Sequence, residues 1–139
     1  MNHATFIEVI ERVPLLAAEG LMVPGDPENE RKRHEFLNSP ERLQETIDAA
    51  QFMATIGKSE RFSEWQRKNC CPESLQGLIE WHVGRPISRG SIIAAALHLG
   101  FTMGVQGNSK VYFNLLAPQI ETELAHLRTH QQISEAALI

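Results

Sequence analysis

The segment from Ile87 to Phe101 constrains the fold more than any other. It reads Ile-Ser-Arg-Gly-Ser-Ile-Ile-Ala-Ala-Ala-Leu-His-Leu-Gly-Phe. Ser88 can cap a helix start and Gly100 can end one. Between them, Ile92 to Leu97 are apolar without a break. A helix apolar on nearly every side needs protein all round it. This segment is therefore expected at the centre of the core, with recognition left to the outer surfaces.

The flanking pattern is mainly helical. Phe6, Ile7, Ile10 and Val13 share one face of a helix expected over 4–19, kinked at Pro14 and closed by Gly20. Leu21 to Pro27 reads as a loop with two prolines and a glycine. Asp26 and Pro27 then suit the cap and first position of a second helix. Its middle, Glu28 to Glu35, is almost wholly charged, so Phe36 and Leu37 must anchor it. Ser39 and Pro40 open a third helix that Gly57 stops, with Leu43, Ile47, Ala50 and Ala54 as its apolar stripe and Phe52, Met53 and Ile56 widening it. Ser59 is expected to cap a fourth helix reaching about Lys68, with Phe62 and Trp65 on one face. Pro72 opens a fifth, to about Val83, with Leu75, Leu78, Ile79 and His82 inward.

After Gly100 the period falls to two. Phe101, Met103 and Val105 alternate with small or polar residues, as do Val111, Phe113 and Leu115. A short β-hairpin around Gln106 to Lys110 follows. Pro118 opens a last helix with Ile120, Leu124 and Leu127 on one side, fading into a frayed tail. The expected fold is a mainly α single domain over 1–139, with about six or seven helices, a helix-turn-helix-like unit and a short β-hairpin. Helices of the N-terminal part occupy 1–57, the helix-turn-helix and hairpin 58–117, and the last helix and tail 118–139.

The chain has 139 residues, 42% hydrophobic and 22% charged, as soluble globular domains do. Its longest apolar run is far short of the roughly 20 residues a membrane span needs, and no signal-peptide pattern opens it. The only cysteines are the neighbours Cys70 and Cys71, too close for an unstrained disulfide. A reducing cytoplasm is the expected compartment.

Charge is unevenly spread. Residues 1–60 hold 11 acidic and 6 basic side chains, 61–110 hold 3 and 6, and 111–139 hold 3 and 1. The basic middle is weak as a nucleic-acid footprint, yet it coincides with helix, tight turn, buried helix and hairpin, the order of a winged helix-turn-helix. A recognition helix must offer Arg, Lys, Asn or Gln to base edges. This one offers Arg89, Ser91 and His98 and then alanines and leucines. Lys110 and Asn108 stand at the tip of the would-be wing. A packing unit serving stability alone accounts for the same order.

Catalytic constellations are missing. His126 and His130 have the spacing of two metal ligands but no evident third, and Leu127 stands where a catalytic glutamate would follow. They read as surface histidines near a helix end. Cys70 and Cys71 precede a helix start, with no base placed by the sequence, and read as small packed hydrophobes. There is no glycine-rich phosphate loop and no serine elbow. The run Glu30-Arg31-Lys32-Arg33-His34-Glu35 mixes signs and reads as a solvated face. Trp81 is a contact anchor if exposed and a turn support if buried. No catalytic residue, metal or cofactor is expected.

Residues 49–115 carry a further pattern. Ala49-Ala50-Gln51-Phe52-Met53-Ala54-Thr55-Ile56 is followed by Ser74-Leu75-Gln76-Gly77-Leu78, then by Ser88-Arg89-Gly90-Ser91-Ile92-Ile93-Ala94-Ala95-Ala96, Gly100-Phe101 and Phe113-Asn114. This resembles a group of short proteobacterial proteins without characterised function, often found in plasmid, phage or integrated-element settings. The chain departs from that group at Leu75 (tyrosine there), Ile79 (lysine), Glu80 (histidine) and Arg89 (asparagine). The resemblance implies a mobile-element setting. The expected function is a non-enzymatic protein that binds a macromolecule, as an inhibitor, anti-defence or regulatory factor on a protein partner. The alternative is a winged-helix-like DNA-binding regulator. A small enzyme with a cysteine or histidine site, and a homodimer paired through the last helix, are further readings. The candidate nucleic-acid or partner contact residues are Arg67, Lys68, Arg85, Arg89 and Lys110, which would meet phosphates in the DNA reading, while a protein partner is expected on the acidic N-terminal part or an exposed apolar patch.

Overall fold

A computed structural model describes residues 1–107 and 110–137. The Ala-rich segment forms α6 (Arg89–His98). Every residue from Gly90 to Ala96 is buried. Three helices enclose it: α1 (His3–Glu11), α3 (Pro40–Met53) and α5 (Pro72–Val83). Ser88 caps its start by accepting from the Ser91 amide. At its end Gly100 adopts φ +80°, and the Phe101 amide returns to the Ala96 carbonyl at 3.0 Å. This left-handed closure satisfies a carbonyl that the helix leaves open. Ile87, Ile92 and Ile93 are each sealed to 1% exposure or less, worth about 1.5–3 kcal/mol apiece in removed apolar surface.

Seven helices and two small antiparallel hairpins make up the described residues. The fold is mainly α with a short β-hairpin, as expected. None of these helices is long and apolar enough to cross a membrane.

The helix expected over 4–19 is α1 only, and it ends at Glu11. The chain then turns through Val13 and Pro14 into a tight hairpin, β1 (Leu16–Ala17) against β2 (Gly20–Leu21). Gly20 has φ +110°, which a side chain would strain. Tertiary contacts pull these residues out of the helix. The Gly90 amide donates to the Ala18 carbonyl at 3.0 Å, and a Cβ at Gly90 would overlap the Ala17 carbonyl oxygen. The hairpin thus lies directly on the first turn of α6.

Arg33 holds the other side of this hairpin. It belongs to α2 (Asn29–Leu37), which starts two residues later than Pro27. Asp26 instead accepts from the Glu28 amide, ahead of the helix. Arg31 pairs with Glu28 and Glu35, and Lys32 with Glu19, on the solvated face. Arg33 points inward. Its guanidinium donates to the carbonyls of Ile10, Val13 and Leu16 at 2.9–3.3 Å, and burial lowers its pKa. It adds a second donor to the Ile10 and Val13 carbonyls, which also accept from the Val13 and Leu16 amides, and supplies a donor to the Leu16 carbonyl.

The inward face of α3 also differs from the expected stripe. Glu45, Thr46, Ala49 and Met53 are its buried residues, whereas Leu43, Ile47 and Ala50 are half-buried and Ala54 is exposed. A glutamate and a threonine turn inward because α6 offers them partners. The Glu45 carboxylate accepts from the Ser88 amide at 2.8 Å, the Ser91 hydroxyl at 3.0 Å and Arg42 Nη1 at 2.7 Å. Burial pushes the Glu45 carboxyl up. The hydrogen bonds from Ser88 and Ser91 and the charge of Arg42 outweigh it, so the group titrates below its ordinary value.

The fourth helix, α4 (Glu64–Asn69), is capped by Ser63 in a capping box with Gln66 rather than by Ser59. Ser59 is engaged elsewhere: its amide donates to the Asn114 carbonyl and its hydroxyl accepts from Gln66. Beyond α6 comes the second hairpin, β3 (Met103–Gln106) and β4 (Lys110–Phe113), and then α7 (Ala117–Ala137). Ile120 is buried, with Leu124 and Leu127 half-buried beside it. His82, expected inward on α5, sits at the rim, where it stacks on Phe52 and meets Glu123 of α7 at 2.8 Å.

Candidate interaction face

The residues of β4 alternate less strictly than the sequence suggests. Val111 and Phe113 turn to the core, but Tyr112 between them is also buried. Its ring lies across Gly104, where a Cβ would collide with it. Phe62 meets the same ring edge-on at 4.8 Å. Arg67 of α4 covers it, with the guanidinium carbon 5.9 Å from the ring centre, a cation–π distance. An aromatic floor therefore fixes where Arg67 stands.

Lys68 and Lys110 complete this surface. Together with Arg67, Glu64 and Gln106 they line an open depression of about 200 Å³ between α4 and the hairpin. All three cations are exposed. Among the described residues that line it, the one counter-charge is Glu64, 3.4 Å from Arg67 and itself 94% exposed, an arrangement that solvent weakens strongly. The depression is a basic, open surface on a rigid base, suited to an anionic partner.

Three of the five contact candidates thus converge, and two do not. Arg85, in the turn before α6, pairs with Asp48 of α3 at 2.8 Å. Its charge is spent on holding two helices together. Arg89 opens α6, is exposed, and makes no side-chain hydrogen bond or ion pair among the described residues. Asn108, expected at the hairpin tip, lies outside the described residues. Phe62, expected beside Trp65 on the fourth helix, lies ahead of α4 and packs on Tyr112 instead, and the two rings set the geometry of the face. The place of the Tyr112 ring depends on Gly104, whose missing side chain was the available signal.

The other chemistry-bearing residues stand apart. Cys70 and Cys71 are buried and free. Burial, with Cys71 alongside, pushes the Cys70 thiol up to about 12, the opposite of an activated nucleophile. His130 packs against Trp81 with ring centres 5.4 Å apart. Trp81 is half-buried and occupied by the α5–α7 contact. Among the described residues, no three His, Cys, Asp or Glu side chains gather as metal ligands do. A larger depression of about 380 Å³ lies between β1, α2 and α3, but its cations Arg31, Lys32 and Arg42 are already paired with acids. In comparisons with known proteins, no family model, curated protein or solved structure matches this chain.

Proposed function

We propose that this protein is a non-enzymatic binding module that takes an acidic protein partner on the α4–hairpin face and inhibits or regulates that partner. The observation that carries this reading is the convergence of Arg67, Lys68 and Lys110 on one depression, with Arg67 seated over the Tyr112 ring. The resemblance of 49–115 to proteins of plasmid and phage settings supports a regulatory or anti-defence role, inside the host cell. The buried Cys70 thiol supports a role without covalent chemistry.

A protein partner is favoured over DNA because α6, the helix in the recognition position, is enclosed from Gly90 to Ala96. No side of that stretch is available to a groove. Three cations on one face would neutralise about three phosphates, giving a salt slope near −2.7 and weak, non-specific affinity.

The test reverses the face. Arg67→Glu, Lys68→Glu and Lys110→Glu together should abolish co-purification of a stoichiometric host protein at low salt while the thermal melt stays cooperative. Duplex DNA retarded by the wild type and released by the same variant would replace the protein reading with the DNA one. A wild type that retains neither would end both. Sedimentation at several concentrations decides whether the bound species is a monomer or a homodimer.

A further inference from the structure

One side of β3 makes no backbone hydrogen bond among the described residues. In the register of the hairpin, Gly104 faces Tyr112 and Gln106 faces Lys110. The Asn114 amide donates to the Thr102 carbonyl at 3.3 Å, which sets the phase of the ladder. Residues 102, 104 and 106 direct their backbone groups toward β4, while Met103 and Val105 direct theirs away. The same alternation turns Phe113 outward on β4, and there the Cys70 carbonyl accepts its amide at 3.0 Å. The outer side of β4 is therefore covered by the end of α4. The outward amides of Met103 and Val105 find no protein acceptor among the described residues.

This edge also lacks the usual protection. Exposed edge strands are blunted by charge, proline or a covering element. Met103-Gly104-Val105-Gln106 contains neither charge nor proline. Val105 is 52% exposed, an unusual fraction for a large apolar side chain in this protein.

Resting on the function proposed above, we infer that the outer edge of β3 receives an extended acidic segment of the partner as a third strand. Met103 and Val105 would supply the main-chain bonds. An added strand places alternate side chains on each face of the sheet. One of those rows joins the face that carries Gln106, Lys110, Tyr112 and the overlying Arg67, so acidic residues at every second position match the charge there. A second copy of this chain suits the edge less well. Pairing β3 with β3 about a two-fold axis normal to the sheet would lay two basic faces on the same surface.

The probe is a blocked peptide of about eight residues alternating Glu and Val, the length of an ordinary strand, titrated into the full chain and followed by amide NMR. A matching Lys–Val peptide is the control. Binding of the Glu–Val peptide should slow hydrogen exchange at Met103 and Val105 by about ten-fold or more, with no effect from the Lys–Val peptide. Val105→Pro removes an outward donor and leaves the ladder to β4 whole, so it should erase the response while core methyl signals stay in place. In the host, Val105→Pro should also release the captured protein. Capture lost on reversing Arg67, Lys68 and Lys110 but kept in Val105→Pro would overturn strand addition and leave the binding face standing. Capture unaffected by either change would overturn both. Slow exchange at Met103 and Val105 in the free protein that rises with its concentration would assign the edge to a second copy instead. Unaltered β3 amides at millimolar Glu–Val peptide would also reject the inference.

Discussion

Replacing Glu45 by alanine should destabilise this protein by about 3 kcal/mol, and the sum can be traced bond by bond. Glu45 is 2% exposed and its carboxylate accepts three hydrogen bonds. Arg42, with its side chain 35% exposed, regains water when its partner goes, so that pair contributes only about 0–1 kcal/mol. The Ser88 amide loses its acceptor, at a cost of about 1–3 kcal/mol for a stranded interior donor. The Ser91 hydroxyl keeps Ser88 Oγ at 2.7 Å, so its loss falls near the low end of that range. A total of about 3 kcal/mol corresponds to a melting temperature lower by roughly 10 °C for a domain of this size. Urea unfolding at neutral pH measures it directly. A loss under about 1 kcal/mol would refute the claim that Glu45 ties α3 to the start of α6.

The same group makes stability depend on pH with a definite sign. Its folded pKa lies below its unfolded one, because the hydrogen bonds and Arg42 outweigh burial. Its contribution is therefore complete above the unfolded value of about 4.3 and disappears as pH falls through the folded value. The stability gap between the wild type and Glu45→Gln should shrink on acidification below about pH 4. A gap that widens there would contradict the assignment.

Three further outcomes follow from other contacts. Gly90→Ala should cost about 2–4 kcal/mol, since the new methyl meets the backbone of Ala17; Gly77→Ala, an exposed helix position with nothing within 4 Å of the added carbon, should gain about 0.5–1 kcal/mol. Equal melts for the two variants would dismiss the close approach of α6 and the first hairpin. Arg33→Met should cost about 1–3 kcal/mol by stranding the Leu16 carbonyl and taking the second donor from the Ile10 and Val13 carbonyls, and Arg33→Lys should rescue little, because an ammonium lacks the fork that spans all three. A rescue as complete as the wild type in urea unfolding would contradict that geometry. A thiol reagent at pH 8 should label Cys70 no faster than the protein unfolds, given its burial and a pKa of about 12; rapid labelling of the folded chain would show the site to be open.

Local signals located most helices. Ser39 with Pro40, Pro72, and Ser88 with Gly100 mark starts and stops that the structure uses. Caps and periodicity work over a few residues, where chain neighbours are also neighbours in space. The burial of α6 was legible for the same reason, since a segment without a polar side has one place to go.

Contacts between distant parts of the chain decided the rest. Whether Glu45 faces inward depends on Ser88, 43 residues away, and that partner changes the phase of α3 from the one its apolar residues suggest. Val13 to Leu21 leave the helical pattern because Arg33 and Gly90 hold them in a hairpin. Of the five basic residues picked out by type, Arg85 is spent on Asp48, whereas Arg67, Lys68 and Lys110 line one depression, with Arg67 held over Tyr112. Sequence by itself determined where α3, α5 and α6 begin and which helix lies innermost, because those are matters of local geometry and of apolar surface leaving water. Only the tertiary structure decided which charges are neutralised and which remain available, because a charge is satisfied by whatever the fold brings within hydrogen-bonding reach.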